Sequence, residues 1–244
     1  MNSNPFKIEG VERPGRIVFL CDHASNHVPS DLPERLDLPA EDMVRHIAFD
    51  IGAAGITRAI AAQMDGPAAL SNFSRLVIDP NRGEDDPTLV MRLYDGSIIP
   101  ANRFVDRQEI TRRIETLHRP YHTAVANLVA ARAKPILVSI HSFTPQLKGR
   151  PKRPWEVGVL YADDARLAGP FLTRLREAGI CVGDNEPYSG HLPGDTMDQH
   201  ALNHGHAHVL IEVRNDLIET DANQEKWASK LAPILSAAIV DAGV

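Results

Sequence analysis

The feature that most constrains the fold is a set of short apolar runs that alternate with helical patterns. The run PILVSIH (135–141) is led by Pro, is rich in β-branched residues and lacks polar alternation, which is typical of a strand buried on both faces. Similar runs are RIVFLCD (16–22), SRLVID (74–79), EVGVLYA (156–162) and HVLIEVR (208–214), and ICVGDN (180–185) is a shorter candidate. Apolar residues recur at helical spacing over 51–64, 106–133, 163–178 and 221–240. Strands that alternate with helices predict an α/β fold, a three-layer αβα sandwich with a mostly parallel sheet.

Composition limits the classes of protein to consider. The 244 residues contain no repeat, low-complexity segment or linker, so we expect one domain over residues 1–244. The formal net charge of −6 disfavours nucleic acid or an anionic membrane as a partner. The first residues lack a signal-peptide core, and Cys21 and Cys181 lie in apolar runs, which favours a cytoplasmic protein with buried free thiols. We expect a monomer or a small homo-oligomer with no membrane span.

Polar side chains follow several of the predicted strands. In an open α/β sheet, ligands bind beyond the carboxyl ends of the strands, where loops and helix N-termini gather. Histidines, carboxylates and arginines from four separate runs are predicted to meet at this edge. They are Asp22, His23 and Asn26 after the first run, Asp79, Asn81 and Arg82 after the second, His141 and Ser142 after the third, and Glu212 and Arg214 in the last.

His23 and His141 together indicate a metal site. One histidine at a strand end is more often a hydrogen-bonded structural residue, but two of them beside a carboxylate suit Zn²⁺, which binds imidazole and carboxylate groups. The chain has neither an HExxH nor a CxxC motif, so the prediction depends on the constellation alone. Asp50 precedes a predicted helix, where it is either an N-cap or a third metal ligand.

Glu212 and the Asn81–Arg82 pair each have two interpretations. Strand alternation places Glu212 on the same face as Arg214, as a catalytic carboxylate or as half of a structural Glu–Arg pair. Asn81 and Arg82 follow Asp79-Pro80, and are either turn residues or a two-pronged site for a substrate carboxylate.

The turn-rich loop 185–196 holds Tyr188 and His191, and it is either a lid over the site or an ordinary surface loop. We predict structural roles for five other histidines, His118, His122, His200, His204 and His206.

Seven ordered motifs resemble the N-formylglutamate amidohydrolase family. They are CDHASNHVP, HIAFDIGA, FSRLVIDPNR, SIHSFTP, GVLYADD, DNEPYSG and LIEVRNDLI, which span residues from about 16 to about 218. The resemblance implies a fold similar to that of zinc carboxypeptidases and of the succinylglutamate desuccinylase and aspartoacylase group. It also implies one zinc ion and hydrolysis of N-formyl-L-glutamate, a small acyl-amino acid, to formate and L-glutamate, a late step of histidine breakdown in some bacteria.

The resemblance also implies roles for individual residues. His23 and His141 match the zinc histidines, Glu212 matches the general base, and Asn81-Arg82 resembles a pair that holds the substrate carboxylate. Arg214, Tyr188 and Ser142 are further candidates for substrate binding.

The sequence departs from the carboxypeptidase pattern at one position. Asn26 stands where carboxypeptidases have a glutamate ligand, so either Asn26 binds the metal weakly, or Asp50 supplies the third ligand, or the purified protein holds less than one metal ion per chain. The alternatives to deformylation are an amidase or peptidase of the same fold with another acylated substrate, and a metal-free binding protein.

Overall fold

The structure, a computed structural model, describes residues 4–30, 32, 36–190 and 192–244. Nine strands occur in these residues. They are β1 (Phe6–Glu9), β2 (Ile17–Cys21), β3 (Ala68–Ser71), β4 (Leu93–Tyr94), β5 (Ser97–Ile98), β6 (Ile136–Phe143), β7 (Val157–Leu160), β8 (Val182–Asp184) and β9 (Ala207–Arg214).

Six α-helices lie between or after the strands. They are α1 (Ala53–Gln63), α2 (Arg107–Arg113), α3 (Arg119–Ala130), α4 (Ala168–Glu177), α5 (Thr196–His200) and α6 (Asp221–Ala242). Side-chain caps fix three of the starts. Asp106 accepts from the Glu109 N–H at α2, Asp195 accepts from the Asp198 N–H at α5, and Thr220 accepts from the Asn223 N–H at α6. No helix in the described ranges is both long enough and apolar enough to cross a membrane.

The central sheet has seven strands in the order β1-β3-β2-β6-β9-β7-β8, and β4 and β5 form a separate hairpin. The pairs β3–β2, β2–β6, β6–β9 and β7–β8 are parallel, whereas β1–β3 and β9–β7 are antiparallel. The predicted α/β sandwich with a mostly parallel sheet is therefore confirmed. The carboxyl ends of β2, β6 and β9 meet at one edge, which positions the site.

Two cores cover the two faces of the sheet. Alternate residues of β6 divide between them, with Val138 and Ile140 on the side of α1, α4 and α6, and Leu137 on the side of α3. By the same alternation, Ser139 and His141 share the face of Leu137. The polar end of β6 thus lies on the α3 side of the sheet.

The predicted strand 74–79 is wrong. This segment is a buried loop, in which the Val77 N–H donates to Ser74 O and the Ser74 hydroxyl donates to Ala48 O. Leu76 and Ile78 are fully buried without belonging to the sheet, and the strand of this region is β3, which the sequence analysis missed. An apolar run indicates that a segment is buried but does not show that it is a strand. Here turns and side-chain hydrogen bonds hold the buried segment.

Two other expectations need correction. The helix predicted over 106–133 is interrupted by a π-helical turn at Ile114–His118 between α2 and α3. Cys21 is buried, but Cys181 is exposed, because it directly precedes the edge strand β8. Both thiols are free.

Candidate metal centre

Three side chains from distant parts of the chain meet at the carboxyl edge of the sheet. His23 follows β2, His141 lies near the end of β6, and Asp50 lies just before α1. One ligand atom from each residue lies within 4.8 Å of the other two, and all three residues are buried. The two imidazole rings are 4.9 Å apart at their centroids. This group could hold a metal ion.

The orientation of both imidazoles is fixed by carboxylates on their outer side. The Nε2 atom of His23 lies 2.7 Å from Asp79 Oδ1, and the Nε2 atom of His141 lies 3.1 Å from Asp22 Oδ2. A carboxylate only accepts, so both Nε2 atoms carry hydrogen. The Nδ1 atoms then turn inward, toward Asp50 Oδ2, at 3.3 Å for His23 and 2.9 Å for His141.

This donor set fits a divalent transition metal. Two Nδ1 atoms and one carboxylate oxygen are a ligand set that zinc takes in catalytic sites, with a position left open. Carboxylates that hold the other nitrogen of a ligating imidazole are the usual outer partners of such sites, and Asp22 and Asp79 supply them.

Asp22 is a buried node that joins several elements. Its carboxylate accepts from the hydroxyls of Tyr121, Ser139 and Thr196 at 2.8, 3.1 and 3.0 Å. Burial raises the pKa of Asp22, but the hydrogen bond and the charge of His141 outweigh it and hold the pKa well below its usual range. Burial lowers the pKa of His141, but its bonds to Asp22 and Asp50 outweigh that effect, and the pKa is raised.

Arg75 lies behind the centre and bridges two of its carboxylates. Its Nη1 atom is 3.3 Å from Asp50 Oδ1 and its Nη2 atom is 3.1 Å from Asp79 Oδ2. The side chain is 6% exposed, so both pairs are shielded from water. His46 Nδ1 is 3.4 Å from Asp50 Oδ1, and burial lowers the pKa of His46 to about 4.

Glu212 lies beside the centre with an uncommitted oxygen. It pairs in register with His141 across β6 and β9, and its Oε2 atom is buried without a hydrogen-bond partner among the described residues. Burial raises the pKa of Glu212 to about 7. A buried carboxyl that titrates near neutrality and has a free oxygen can accept and return a proton.

Gly158 allows β7 to approach Glu212 closely. Gly158 of β7 pairs with Glu212 of the neighbouring antiparallel strand β9. A Cβ atom added to Gly158 would lie 2.3 Å from the Glu186 carbonyl oxygen and 3.2 Å from the Glu212 Cβ. The absence of a side chain at Gly158 therefore lets β7 pack against Glu212 without a steric clash.

A cavity of about 280 Å³ opens in front of these groups. The predicted site residues that line it are His23, Asp50, Asn81, Arg82, His141, Ser142, Tyr188 and Glu212. The other lining residues, which were not predicted from the sequence, are His46, Arg75, Tyr94, Leu160, Ser189, Gly190, Leu192, Asp195 and Leu210.

The Asn81–Arg82 segment is held in place by hydrogen bonds with Asp79 and with two histidines of the helical region 114–130. The Asn81 N–H donates to Asp79 Oδ1 at 2.9 Å, so the segment begins with a turn that the Asp79 side chain closes. His118 donates from Nε2 to the Arg82 carbonyl, and His122 donates from Nε2 to the Pro80 carbonyl, each at 2.9 Å. His118 and His122 thus have the structural role that the sequence predicts, because they fix the backbone that carries Arg82.

Ser142 and Tyr188 line the cavity in different ways. The Ser142 N–H contacts Asp50 Oδ2 at 3.3 Å, and its hydroxyl donates to Ile51 O. The Arg153 guanidinium lies 5.0 Å from the centroid of the Tyr188 ring, and burial raises the pKa of Tyr188 to about 12. His191, in the same loop, lies outside the described residues.

Two predicted site residues lie away from the cavity. The side-chain amide of Asn26 donates to the Met43 carbonyl at 2.8 Å. Arg214 bonds Asp216 and the Trp155 carbonyl, so it neither reaches the cavity nor pairs with Glu212.

Asp50 is not an N-cap, because Gly52 occupies that position of α1 and the Asp50 carboxylate faces the histidines. Of the two candidates for the third ligand, the geometry therefore favours Asp50.

Comparisons with known proteins find similarity over most of the chain. The sequence profile described as N-formylglutamate amidohydrolase matches residues 15–219. The crystal structure of the gene product Atu2144 from Agrobacterium tumefaciens is similar, with 32% identity, a TM-score of 0.94 and coverage of 99% of this chain and 97% of that chain. The N-formylglutamate amidohydrolase from Ralstonia eutropha shares the fold at 22% identity, with a TM-score of 0.69 and coverage of 99% and 98%. No curated protein matches.

Proposed function

Since the chain belongs to the N-formylglutamate amidohydrolase family, we propose that it is a metal-dependent enzyme that hydrolyses the N-formyl amide of N-formyl-L-glutamate, or of a related N-acyl amino acid. Membership of the family makes the chain a hydrolase that acts on amide bonds. The observation that carries the finer proposal is the buried group of His23, Asp50 and His141 beside Glu212 in one cavity.

His23, Asp50 and His141 would hold one divalent ion, most suitably zinc. When bound, such an ion polarises the amide carbonyl and makes water more acidic. Asp22 and Asp79 accept from the Nε2 atoms of His141 and His23, which leaves the two Nδ1 atoms as the nitrogens that would bind the ion. Arg75 balances part of the negative charge that the three aspartates bring into the protein interior.

Glu212 would act as the general base and then as the general acid. Its Oε2 atom, which is buried without a hydrogen-bond partner among the described residues, would take a proton from the attacking water and pass it to the amine that leaves. A pKa of about 7 suits both steps. At neutral pH the carboxylate is basic enough to accept a proton from water, and the carboxylic acid is acidic enough to give that proton to the amine.

Arg82 and Asn81 would orient the substrate. Arg82 donates from Nη1 to the Asn81 carbonyl and from Nε to Thr88 Oγ1, which leaves Nη2 for an α-carboxylate. The bonds from His118 and His122 hold this segment in place before substrate arrives, which lowers the entropic cost of binding.

Formate release by the zinc-reconstituted protein tests the proposal. A panel of N-formyl and N-acetyl amino acids should yield formate or acetate in step with loss of the substrate, and removal of the metal should abolish turnover. Turnover of acetylated but not formylated substrates would identify an amidase with another acyl specificity. Failure to hydrolyse any acyl-amino acid with zinc bound would contradict the proposal.

A further inference from the structure

Two loops of the cavity wall pack closely against each other. One carries Asn81 and Arg82, and the other contributes residues 188–190, 192 and 195. A Cβ atom added to Gly83 would lie 3.3 Å from the Cα atom of Gly194, and one added to Gly194 would lie 3.0 Å from the Cα atom of Gly83. Glycine at both positions therefore lets the two backbones approach closely. The segment that would hold the substrate carboxylate is thus supported by the second loop.

Thr196 joins these loops at the start of α5. It is fully buried, and its N–H donates to Asn81 Oδ1 at 3.1 Å. This bond fixes the orientation of a side chain that lines the cavity. The second loop therefore ends on the residue that precedes Arg82.

The hydroxyl of Thr196 connects the same residue to the metal centre. Two acceptors lie near it, Asp22 Oδ1 at 3.0 Å and the Pro80 carbonyl at 3.4 Å. Asp22 is nearer and charged, so it receives the single hydroxyl hydrogen. The other oxygen of Asp22 accepts from His141 Nε2 at 3.1 Å. A continuous chain of buried hydrogen bonds therefore links Asn81 to His141.

We propose that Thr196 is a positioning residue that couples the two parts of the site. Its hydroxyl fixes Asp22, which keeps the imidazole of His141 oriented for a divalent ion. The same bond anchors the backbone of Thr196, whose N–H holds Asn81 beside the place of the substrate carboxylate. This inference rests on the proposed function and adds that one hydroxyl group supports both metal binding and substrate binding.

Thr196→Val tests the coupling, because it removes the hydroxyl with little change of shape. Competition with a chelator of known affinity should show zinc binding about five- to tenfold weaker, because Asp22 loses a donor and holds His141 less firmly. With zinc saturating, KM for N-formyl-L-glutamate should rise about three- to fivefold with a smaller change in kcat, because Asn81 is no longer anchored. Thr196→Ser restores the donor and should return both values close to the wild type.

Two further variants separate this role from a purely structural one. Tyr121→Phe removes another hydroxyl that donates to Asp22 Oδ1. Tyr121 does not line the cavity and Thr196 keeps its own bond, so zinc binding should weaken while KM stays unchanged. Thr57→Val removes a buried hydroxyl that donates to Ala53 O within α1, so it should lower the melting temperature and leave zinc affinity and KM at wild-type values.

The inference is overturned if folded Thr196→Val changes neither zinc affinity nor KM, or only one of them. An equal rise of KM in Tyr121→Phe would also overturn it, because the effect would then belong to Asp22 alone. Thr196→Ala takes the place of Thr196→Val if the valine variant does not fold by circular dichroism.

The proposed function can fail separately. If the wild type hydrolyses no acyl-amino acid, the dissociation constant of N-formyl-L-glutamate from calorimetry replaces KM in the same comparison. Absence of binding would overturn the inference as well.

Discussion

Glu212 lies directly opposite His141 across the parallel strands β9 and β6, and both side chains face one cavity. Residues paired in register on neighbouring strands point to the same face, so the sheet itself sets the spacing between the base and the metal centre. The centre depends on the sheet for His141 and on loops for His23 and Asp50.

The first prediction concerns Glu212→Gln. The amide has nearly the same shape but cannot take a proton from water, so turnover should fall by about 10²–10⁴. Zinc content and thermal unfolding should match the wild type, because Glu212 contributes no atom to the ligand group. Full activity in this variant would show that another group is the base.

The second prediction concerns the carboxylates behind the imidazoles. Asp79→Asn should weaken zinc binding by about 10–100-fold, because the His23 Nε2 atom loses its carboxylate partner. Arg75 also loses one of the two carboxylates with which it forms ion pairs. Competition with a chelator of known affinity measures this directly. Asp198→Asn serves as the control, because Asp198 lies in helix α5 and is not part of the ligand group. Unchanged zinc affinity would mean that Asp79 does not support the site.

The sequence predicts this centre only in part, for physical reasons. His141 and Glu212 could be placed because they belong to strands buried on both faces, where alternation and edge position are regular. Arg75 was missed, because the run 74–79 reads as a strand but folds as a buried loop, whose side-chain directions depend on tertiary contacts. The choice between Asn26 and Asp50 likewise depends on where loops pack, which periodicity does not report.

The third prediction concerns Arg82 and Arg214, which the sequence offers equally as ligands of the substrate carboxylate. Arg82→Gln should raise KM with a smaller effect on kcat, because it removes the group that would bind the substrate carboxylate. Arg214→Gln is the matched control and should leave KM unchanged, since Arg214 bonds Asp216 and the Trp155 carbonyl outside the cavity. A larger KM effect at Arg214 than at Arg82 would contradict these placements.

The fourth prediction concerns stability in acid. Burial lowers the pKa of His122 to about 3 and that of His200 to about 4. Histidine in an unfolded chain binds a proton near pH 6.5, so below that value the unfolded state holds more protons and the free energy of unfolding falls as pH falls.

At about pH 5, each of these histidines should cost about 2 kcal/mol of stability relative to neutral pH. Urea unfolding of His122→Gln should show a weaker dependence on pH between about 6.5 and 4, whereas His204→Gln, at an exposed position, should behave like the wild type. Identical pH profiles for all three proteins would show that His122 is protonated in the folded state.

The proposal that His23, Asp50 and His141 share one divalent ion is tested most directly by metal stoichiometry. After zinc reconstitution and removal of free metal, elemental analysis should find about one zinc per wild-type chain, and Asp50→Ala and His141→Ala, if folded by circular dichroism, should retain far less. Absence of bound divalent metal in the reconstituted wild type, or full zinc content in both variants, would contradict the proposal.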